Sequence, residues 1–374
     1  MRIAMVGCGY AADFYMANLQ NHPQLDLVGV YDRNPDRLKA FCAYHDVPAF
    51  DSLADLVNDA GVELVVNLTN PSQHYPVSLT ALEAKRHVYS EKPFALSLEE
   101  GRHLLDVARR KGVQLASAPC TLLGDAAQTV WAALRKGEVG RPLLALAELN
   151  EGMVHKMLHE RWVSSSGVVW PFRDEFETGC VLEHGGYVLT WLTAFFGGME
   201  DLTASSYVID TEKSSGANLG PDFSCATLRF ASGVVARVTL SIIAPPNHGL
   251  TIVGEEGVLE VADIWDFDSP VYIRRRAIPD AANPSNYLEP RTAYPMTRGP
   301  ERSFRYNDTH DIDWMRGVAE LAQAIRAGER SRLSGDRALH ILEATLAISD
   351  ARGRDSYRRI EHPFESVEPM AWAQ

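Results

Sequence analysis

Arg2-Ile3-Ala4-Met5-Val6-Gly7-Cys8-Gly9-Tyr10-Ala11-Ala12, with Leu25-Asp26-Leu27-Val28-Gly29-Val30-Tyr31 and then Asp32, decides how the chain reads. An apolar run enters a G-x-G-x-x-A turn and a helical stretch follows. A second apolar run then ends on an acid about 20 residues past the turn, the spacing of a dinucleotide-binding βαβ unit. Gly7 permits the tight turn, Gly9 lets backbone approach a pyrophosphate, and Ala12 lets helix and strand pack closely. Cys8, Tyr10 and Ala11 complete the phosphate-facing segment, where the helix offers unpaired N–H groups and its positive dipole end. A glycine turn alone is weak evidence, and an ordinary βα turn is the bland alternative. The flanking strand, helix and acid give the motif its specificity.

Asp32 also selects the cofactor. A carboxylate at the end of the second strand accepts hydrogen bonds from both ribose hydroxyls of NAD and repels the 2′-phosphate of NADP, so NAD is expected. Arg33, directly after it, is the residue that could favour that phosphate or stack on adenine. Asn34-Pro35 already reads as the N-cap and first residue of the next helix, so Asp32 is not needed for that cap.

Bulk properties narrow the function classes. The 374 residues suffice for two domains with sizeable cores. A net charge of −13 argues against a nucleic-acid-binding surface. Five scattered cysteines form no C-x-x-C pair, so neither a disulfide framework nor a zinc site is indicated, and no metal is expected. No signal-like opening and no apolar run of membrane-spanning length is evident, which makes a cytoplasmic protein with no membrane partner the default expectation.

Residues 1–120 alternate strand and helix: Pro35–Asp46 helix, Glu63–Thr69 strand, a helix to about Lys85, His87–Lys92 strand, a helix from the Ser97-x-x-Glu100 capping signal, and Val113–Ala118 strand. This predicts an α/β fold class, a doubly wound parallel sheet. Beyond residue 121 the pattern changes. Helices are predicted near Asp125–Lys136 and Cys180–Phe196. Strands are predicted at Pro142–Leu149, Ser205–Asp210, Phe223–Phe230, Val234–Ile243, Leu250–Val253 and Val258–Val261, with turns at 231–233 and 255–257. Amphipathic helices near Asp311–Ala327 and Asp336–Arg352 close the chain. Residues 121–374 are therefore expected to form an α+β domain with a large open, mostly antiparallel sheet, serving substrate binding and oligomerisation.

In open α/β sheets ligands sit beyond the carboxyl ends of the strands. Two motifs fall there: Thr69-Asn70-Pro71-Ser72-Gln73-His74 and Glu91-Lys92-Pro93. A lysine beside a nicotinamide can hydrogen-bond a substrate hydroxyl and stabilise the developing alkoxide. Taken singly, Lys92 reads as a solvated cation and His74 as a polar residue at a helix start.

Together with the glycine turn and the β-rich second half, these motifs resemble the Gfo/Idh/MocA oxidoreductases, relatives of glucose–fructose oxidoreductase and inositol dehydrogenase. The resemblance spans essentially the whole chain, and Glu91-Lys92-Pro93 is its specific part. It implies a Rossmann domain, a C-terminal open mixed sheet that often forms an oligomer interface (a homodimer or homotetramer), and NAD(P)-dependent chemistry on sugars, cyclitols or nucleotide sugars. It further implies a catalytic Lys92, a Pro93 peptide that is often cis, and cofactor contacts from Thr69, Asn70, His74, Glu91 and Lys92. Pro and Asn are exchanged relative to the usual Thr-Pro-Asn-x-x-His.

The family often carries an Asp and, four residues later, a His on one helix. The best match is Glu183 and Tyr187, on one helix face; an alignment shifted by one puts His184 at the acid position. An adjacent Lys92 ammonium would favour the Tyr187 phenolate, so that Lys92 and Tyr187 handle the hydroxyl proton while Glu183 or His184 orients the pair or relays it. His184 as direct base is the rival, and a packed core aromatic is the bland reading of Tyr187.

Three further features bear on the substrate. His155 and His159 stand at i and i+4, but no third ligand accompanies them, so a segment bordering the cleft is expected rather than a metal site. Trp162, Trp170 and Arg173 are candidates for a cleft wall. Residues 270–306 carry Arg274, Arg275, Arg276, Arg291, Arg298, Arg302 and Arg305 against Asp280, Glu289 and Glu301, with Tyr287, Tyr294, Phe304 and Tyr306 interleaved. Guanidinium forks suit phosphate and aromatic faces suit a stacked base. A nucleotide sugar such as UDP-N-acetylglucosamine, oxidised at its 3-hydroxyl, is thus the leading expectation, against a solvated or intersubunit hairpin. The alternatives are a free sugar or inositol dehydrogenase, an NAD-assisted lyase or glycosidase with no net redox change, and a non-catalytic NAD sensor.

Overall fold

The computed structural model describes the chain except residues 214–218, 280, 281, 283, 308–310, 353–355 and 365. Its N-terminal half is built on β1 (Arg2–Val6), β2 (Asp26–Tyr31), β3 (Leu64–Asn67), β4 (His87–Ser90) and β5 (Leu115–Ser117), in the parallel order β2-β1-β3-β4-β5. Ile3 to Val6 and all of β3 are buried, the continuous apolar run that a sheet covered on both faces demands. The covering helices are α1 (Tyr10–Leu19), α2 (Pro35–His45), α3 (Leu53–Asn58), α4 (Pro71–Glu83) and α5 (Leu98–Lys111). Their starts follow the capping chemistry read from the sequence: the Asn34 side chain accepts from Asp36 and Arg37 N–H, and Ser97 accepts from Glu100 N–H.

After α6 (Asp125–Arg135) the chain enters a nine-stranded sheet. It comprises β6 (Pro142–Asn150), β7 (Met199–Tyr207), β8 (Phe223–Phe230), β9 (Val235–Ser241), β10 (Leu250–Gly254), β11 (Gly257–Val261), β12 (Val271–Arg275), β13 (Thr292–Ala293) and Ser356–Arg359. The order is β13-β12-β11-β10-β6-β9-β8-β7 and then Ser356–Arg359, antiparallel except for the β6–β9 pair. Along β8, Ser224, Ala226, Leu228 and Phe230 are buried while Thr227 and Arg229 are exposed, so one face packs and the other faces out. The packed face carries α8 (Cys180–Phe196), led in by α7 (Phe172–Thr178), and α10 (Gly335–Asp350).

Two element starts differ from the sequence expectation by more than three residues. The strand expected at Ser205–Asp210 runs from Met199 to Tyr207, because its first half is held between β8 and Ser356–Arg359. Beyond it, Asp222 accepts the Ile209 and Asp210 N–H groups and draws the chain off the sheet. The helix expected from Asp311 starts at Arg316 (α9, Arg316–Ala327), since Asp311–Ile312 forms a short ladder with Tyr306–Asn307 and Asp313 is engaged by His22 at 3.0 Å.

The C-terminal helices return to the first sheet. Ser117 N–H donates to Leu333 O at 3.0 Å and Ala116 bridges Ser334, which covers the β5 edge. Gly317 of α9 lies directly against the buried Tyr89 hydroxyl of β4. Gly317→Ala therefore overpacks this junction and is expected to cost about 1–3 kcal/mol, read as a lower urea midpoint than that of the unmodified protein.

Candidate active site

The carboxyl ends of β1, β3 and β4 open into a cavity of about 750 Å³, walled on the far side by α8 and the nine-stranded sheet. At β1 the two turn glycines do different work. Gly7 has φ +98°, and a Cβ there would stand 2.6 Å from Leu68 O, so the backbone itself requires glycine. A Cβ on Gly9 would meet nothing within 4 Å and would project into open space over the N-terminus of α1, which has no side-chain cap. That space, with helix N–H groups around it, fits a pyrophosphate. Gly9, Tyr10 and Ala11 line the cavity, while Cys8 is buried behind it.

Asp32 sits where the ribose acid belongs. Its carboxylate accepts from Cys8 N–H and Asn34 N–H, each at 2.8 Å, and further lone pairs remain for ribose hydroxyls. Arg33 is exposed while Asp32 is buried, and neither lines the cavity. These residues fit NAD.

At β3 and β4 the motif residues brace one another. The His74 ring lies 2.7 Å from Pro93 O and 2.6 Å from Thr69 O, stapling the two strand ends together. Thr69 donates to Asn67 Oδ1 at 2.6 Å, and Asn70 donates to Asp174 at the start of α7. Glu91 accepts from the Tyr15 hydroxyl at 2.6 Å and from Lys92 N–H at 3.0 Å. The Lys92–Pro93 peptide is cis. These contacts aim the Lys92 side chain across the cleft, where Nζ donates to Glu183 Oε2 at 2.6 Å.

Glu183 is placed by α8. Gly179, at φ +84°, turns the chain between α7 and α8, and Cys180 N–H is tied to Pro221 O at 2.8 Å. Glu183 and Tyr187 then share the face turned to the cavity, with Lys92 Nζ 6.0 Å from the Tyr187 ring centre. Burial alone would push Lys92 down, but Glu183 and Glu175 overrule it and hold the ammonium well above its ordinary value. Burial, then the neighbouring Glu183, drives the Glu175 carboxyl up. Burial also pushes the Tyr187 hydroxyl up against the pull of Lys92. In the resting protein the phenol is therefore a hydrogen-bond donor.

A second group of titratable side chains lines the same cavity. His184 Nε2 and His248 Nε2 each lie 3.8 Å from Glu151 Oε1, and His248 Nδ1 lies 3.0 Å from Asp263 Oδ2. Trp265 packs against Tyr187, His184 and His248, with ring centres 5.2, 5.7 and 4.4 Å away. Burial raises the Glu151 carboxyl to about 7. Burial lowers the His248 ring, but Asp263 and Glu151 more than reverse this, for a net rise.

Family models match both halves of the chain. Residues 1–118 match the oxidoreductase family with an NAD-binding Rossmann fold, and residues 127–260 match the GFO/IDH/MocA C-terminal domain. The chain belongs to the Gfo/Idh/MocA oxidoreductase family. It is similar to the trans-1,2-dihydrobenzene-1,2-diol dehydrogenase of Macaca fuscata fuscata, 25% identical over 264 residues, covering 70% of this chain and 74% of that one. Among solved structures it resembles the UDP-N-acetylglucosamine 3-dehydrogenase GnnA of Acidithiobacillus ferrooxidans (TM-score 0.70, 21% identity, 94% and 97% coverage). It also resembles the WlbA dehydrogenase of Bordetella pertussis in complex with NADH and UDP-GlcNAcA (TM-score 0.68, 20% identity, 94% and 96% coverage).

As a Gfo/Idh/MocA protein the chain binds NAD through its Rossmann domain, and other features singled out in the sequence fall into place around that site. The arginines of 270–306 do not line the cavity. Arg275 pairs with Glu138 at 2.6 Å, and Arg291 pairs with Glu260 at 3.3 Å and stacks on Tyr272. Arg298, Arg302 and Arg305 pair with Asp268, while Arg274 and Arg276 donate to the Glu289 and Glu255 carbonyls. Asp280 and the Tyr306 side chain lie outside the described residues. Its strands β12 and β13 form an edge of the second sheet, its later arginines gather around Asp268, and none of the seven arginines is placed to meet a phosphate in the cavity.

His155 and His159 do not share a helix. They sit in separate 3-10 turns, His155 on Asp210 at 2.9 Å and His159 among the rings of Trp170, Phe172 and Phe176. Trp162 and Trp170 do line the cavity, while Arg173 lies over the Phe172 ring instead. The loop carrying these tryptophans is latched to the Rossmann domain, where Ser166 N–H and Oγ donate to Asp13 at 3.1 and 2.8 Å. Glu151, Glu175, His248 and Trp265 were not singled out in the sequence. Each is a lone residue with no spacing that marks it: Glu175 lies within α7, and the other three lie in connections of the second sheet.

Two outcomes follow from this geometry. Gly9→Val is expected to leave the ligand-free unfolding midpoint within about 0.5 kcal/mol of the parent while weakening NAD binding at least about tenfold (about 1.4 kcal/mol); Gly7→Ala loses stability as well. An NAD titration followed by thermal shift distinguishes the two. Glu151 carries a folded-state pKa above its unfolded value, so its contribution to stability is present at acid pH and lost as pH rises through about 7. The Tm of Glu151→Gln should accordingly fall less than that of the parent between weakly acidic and weakly basic pH.

Proposed function

We propose that the chain is an NAD-dependent dehydrogenase that oxidises a secondary hydroxyl of a compact cyclic polyol, whether a free sugar, an inositol or a vicinal diol. The observation that carries this reading is the Lys92 ammonium, 2.6 Å from Glu183 and in one cavity with Gly9 and Tyr187. Bound NAD supplies the hydride acceptor. The protein's part is to hold the hydroxyl and handle its proton. Lys92 donates to the substrate oxygen and stabilises the charge that develops there. Tyr187 supplies a second donor from the same side, and Glu183 keeps the lysine charged and aimed. His74, Glu91 and Thr69 act as positioning residues for the Lys92 backbone.

The walls favour a small substrate. Trp162, Trp170, Trp265 and Trp314 give flat apolar faces suited to the face of a ring, and Arg161 is the one arginine among the described lining residues. The dihydrodiol dehydrogenase relatives act on a substrate of this shape. A nucleotide sugar is the second reading, favoured by the fold likeness to GnnA and WlbA and by Arg161 at the cavity wall. We expect a soluble homo-oligomer with no nucleic-acid partner.

An absorbance screen for NADH formation, with trans-cyclohexane-1,2-diol, inositols, free sugars and UDP-sugars, tests the reading. Activity on the small polyols supports it, activity on UDP-sugars alone moves it to the second reading, and product without NADH accumulation moves it to an NAD-assisted elimination. Lys92→Ala is expected to lower kcat about 10²–10³-fold while NAD binding, followed by thermal shift, is retained.

A further inference from the structure

Oxidising an alcohol releases a hydride and a proton, and the proton must leave a cleft whose principal donors hold theirs tightly. Lys92 and Glu175 are both held well above their ordinary values, and burial does the same to Tyr187. Beyond them lies a string of further titratable groups, of which Glu151 and His248 line the same cavity.

We propose that Glu151, His248 and Asp263 form the proton exit of this site, with Glu151 the first acceptor beyond Lys92 and Tyr187 and Asp263 the outlet toward solvent. The inference rests on the dehydrogenase reading. It stands first on geometry. Glu151 follows β6, His248 precedes β10 and Asp263 follows β11, three strands that are neighbours in the sheet. Backbone bridges Asn150–Asn247 and His248–Asp263 carry that pairing past the strand ends and hold the three residues in line. Glu151 Oε1 lies 3.8 Å from His248 Nε2, and His248 Nδ1 lies 3.0 Å from Asp263 Oδ2.

Asp263 is the most exposed of the three, at 27% of its side chain against 18% for Glu151 and 13% for His248. The Trp265 ring is packed on His248, and the Trp265 backbone N–H donates to Asp263 Oδ1 at 2.7 Å, so ring and carboxylate are oriented by one residue. The Glu151–His248 gap is longer than a hydrogen bond, as proton-transfer contacts commonly are before substrate closes the site.

The step balances without any further reactant. The substrate O–H bond breaks as its carbon yields a hydride to the nicotinamide, and the C–O bond becomes C=O. The proton forms an O–H bond on the Glu151 carboxylate. It is then passed to His248 Nε2 while the Nδ1 proton moves to Asp263 and on to water. Among the described residues, the titratable groups that face Glu151 are His184 from α8, His248 and Asp263 from the sheet, Lys92 from the end of β4 and Glu175 from α7. Their balance with burial sets the carboxyl near 7. Oxidation needs the carboxylate, so its rate should rise with pH through that value, and the reverse reduction should fall.

The test has two readouts. In ligand-free protein, infrared difference spectra across neutral pH should show a carboxylic-acid band titrating near 7. Glu151→Gln should abolish it, and His248→Asn should move its midpoint upward, because the ring holds it down. In NADH-formation assays with trans-cyclohexane-1,2-diol, Glu151→Gln should lower kcat about 100-fold with KM nearly unchanged and lose the inflection near 7. Glu151→Asp should recover part of the rate, and added formate should rescue Glu151→Gln in a dose-dependent way. An active parent enzyme whose Glu151→Gln variant keeps both kcat and inflection, or a band that persists in that variant, overturns the proton exit alone. A parent enzyme inert toward every polyol and UDP-sugar overturns the dehydrogenase reading and removes the exit's purpose with it.

Discussion

The Lys92–Glu183 ion pair is the interaction on which the rest of the site depends. It spans the two halves of the chain, from the end of a Rossmann strand to the first turn of the helix lying on the second sheet. An ammonium and a carboxylate taken out of water are each costly, and each is tolerable only beside the other. The pair therefore holds the cleft at one width and keeps the lysine charged. It also leaves little room for a second negative charge beside it, and burial with Glu183 accordingly drives the Glu175 carboxyl up.

Around that pair the two sheets divide the work. The parallel sheet supplies strand ends, a glycine turn and an uncapped helix N-terminus, all suited to a dinucleotide. The nine-stranded sheet supplies the opposite wall, where α8 brings Glu183, His184 and Tyr187 and the strand ends bring Glu151, His248 and Trp265. The aromatic loop closes the side, tied to the Rossmann helix through Asp13. Asp13 is itself fixed by His45, whose Nε2 lies 2.6 Å from its other oxygen. In the proposed reaction the hydride acceptor is held by one half of the protein and the proton acceptor comes from the other, with the substrate carbon between them.

This division also explains the substrate surfaces. Positive charge concentrated in one stretch of sequence stayed away from the cleft, because each guanidinium found a carboxylate or carbonyl close by in the second half of the chain. The cleft instead is lined by indole rings and carboxylates. A net charge excess along the chain says nothing of which residues face a cavity.

Much of the fold was legible in the residues themselves. The alternation of apolar runs with helical stretches, the Asn34 and Ser97 caps and the Gly7–Ala12 turn depend on near neighbours in the chain, and α8 occupies the span its sequence indicates. The Lys92, Glu183 and Tyr187 candidates were also visible, Lys92 from the Glu-Lys-Pro motif at a strand end and Glu183 and Tyr187 from the resemblance to the family's paired helix residues, which helical spacing puts on one face. What lay hidden depends on pairing at long range. The start of β7 is set by strands that precede and follow it at a distance, and the 155–159 histidines were parted by turns that tertiary contacts impose. Glu151, His248 and Asp263 are brought together only by the register of three strands. Sequence alone determined the nucleotide-binding turn and its lysine, since backbone geometry and strand-end chemistry are local. Tertiary structure decided which groups share a buried cleft, because proton affinity and ion pairing there depend on burial and on neighbours that the chain supplies from far away.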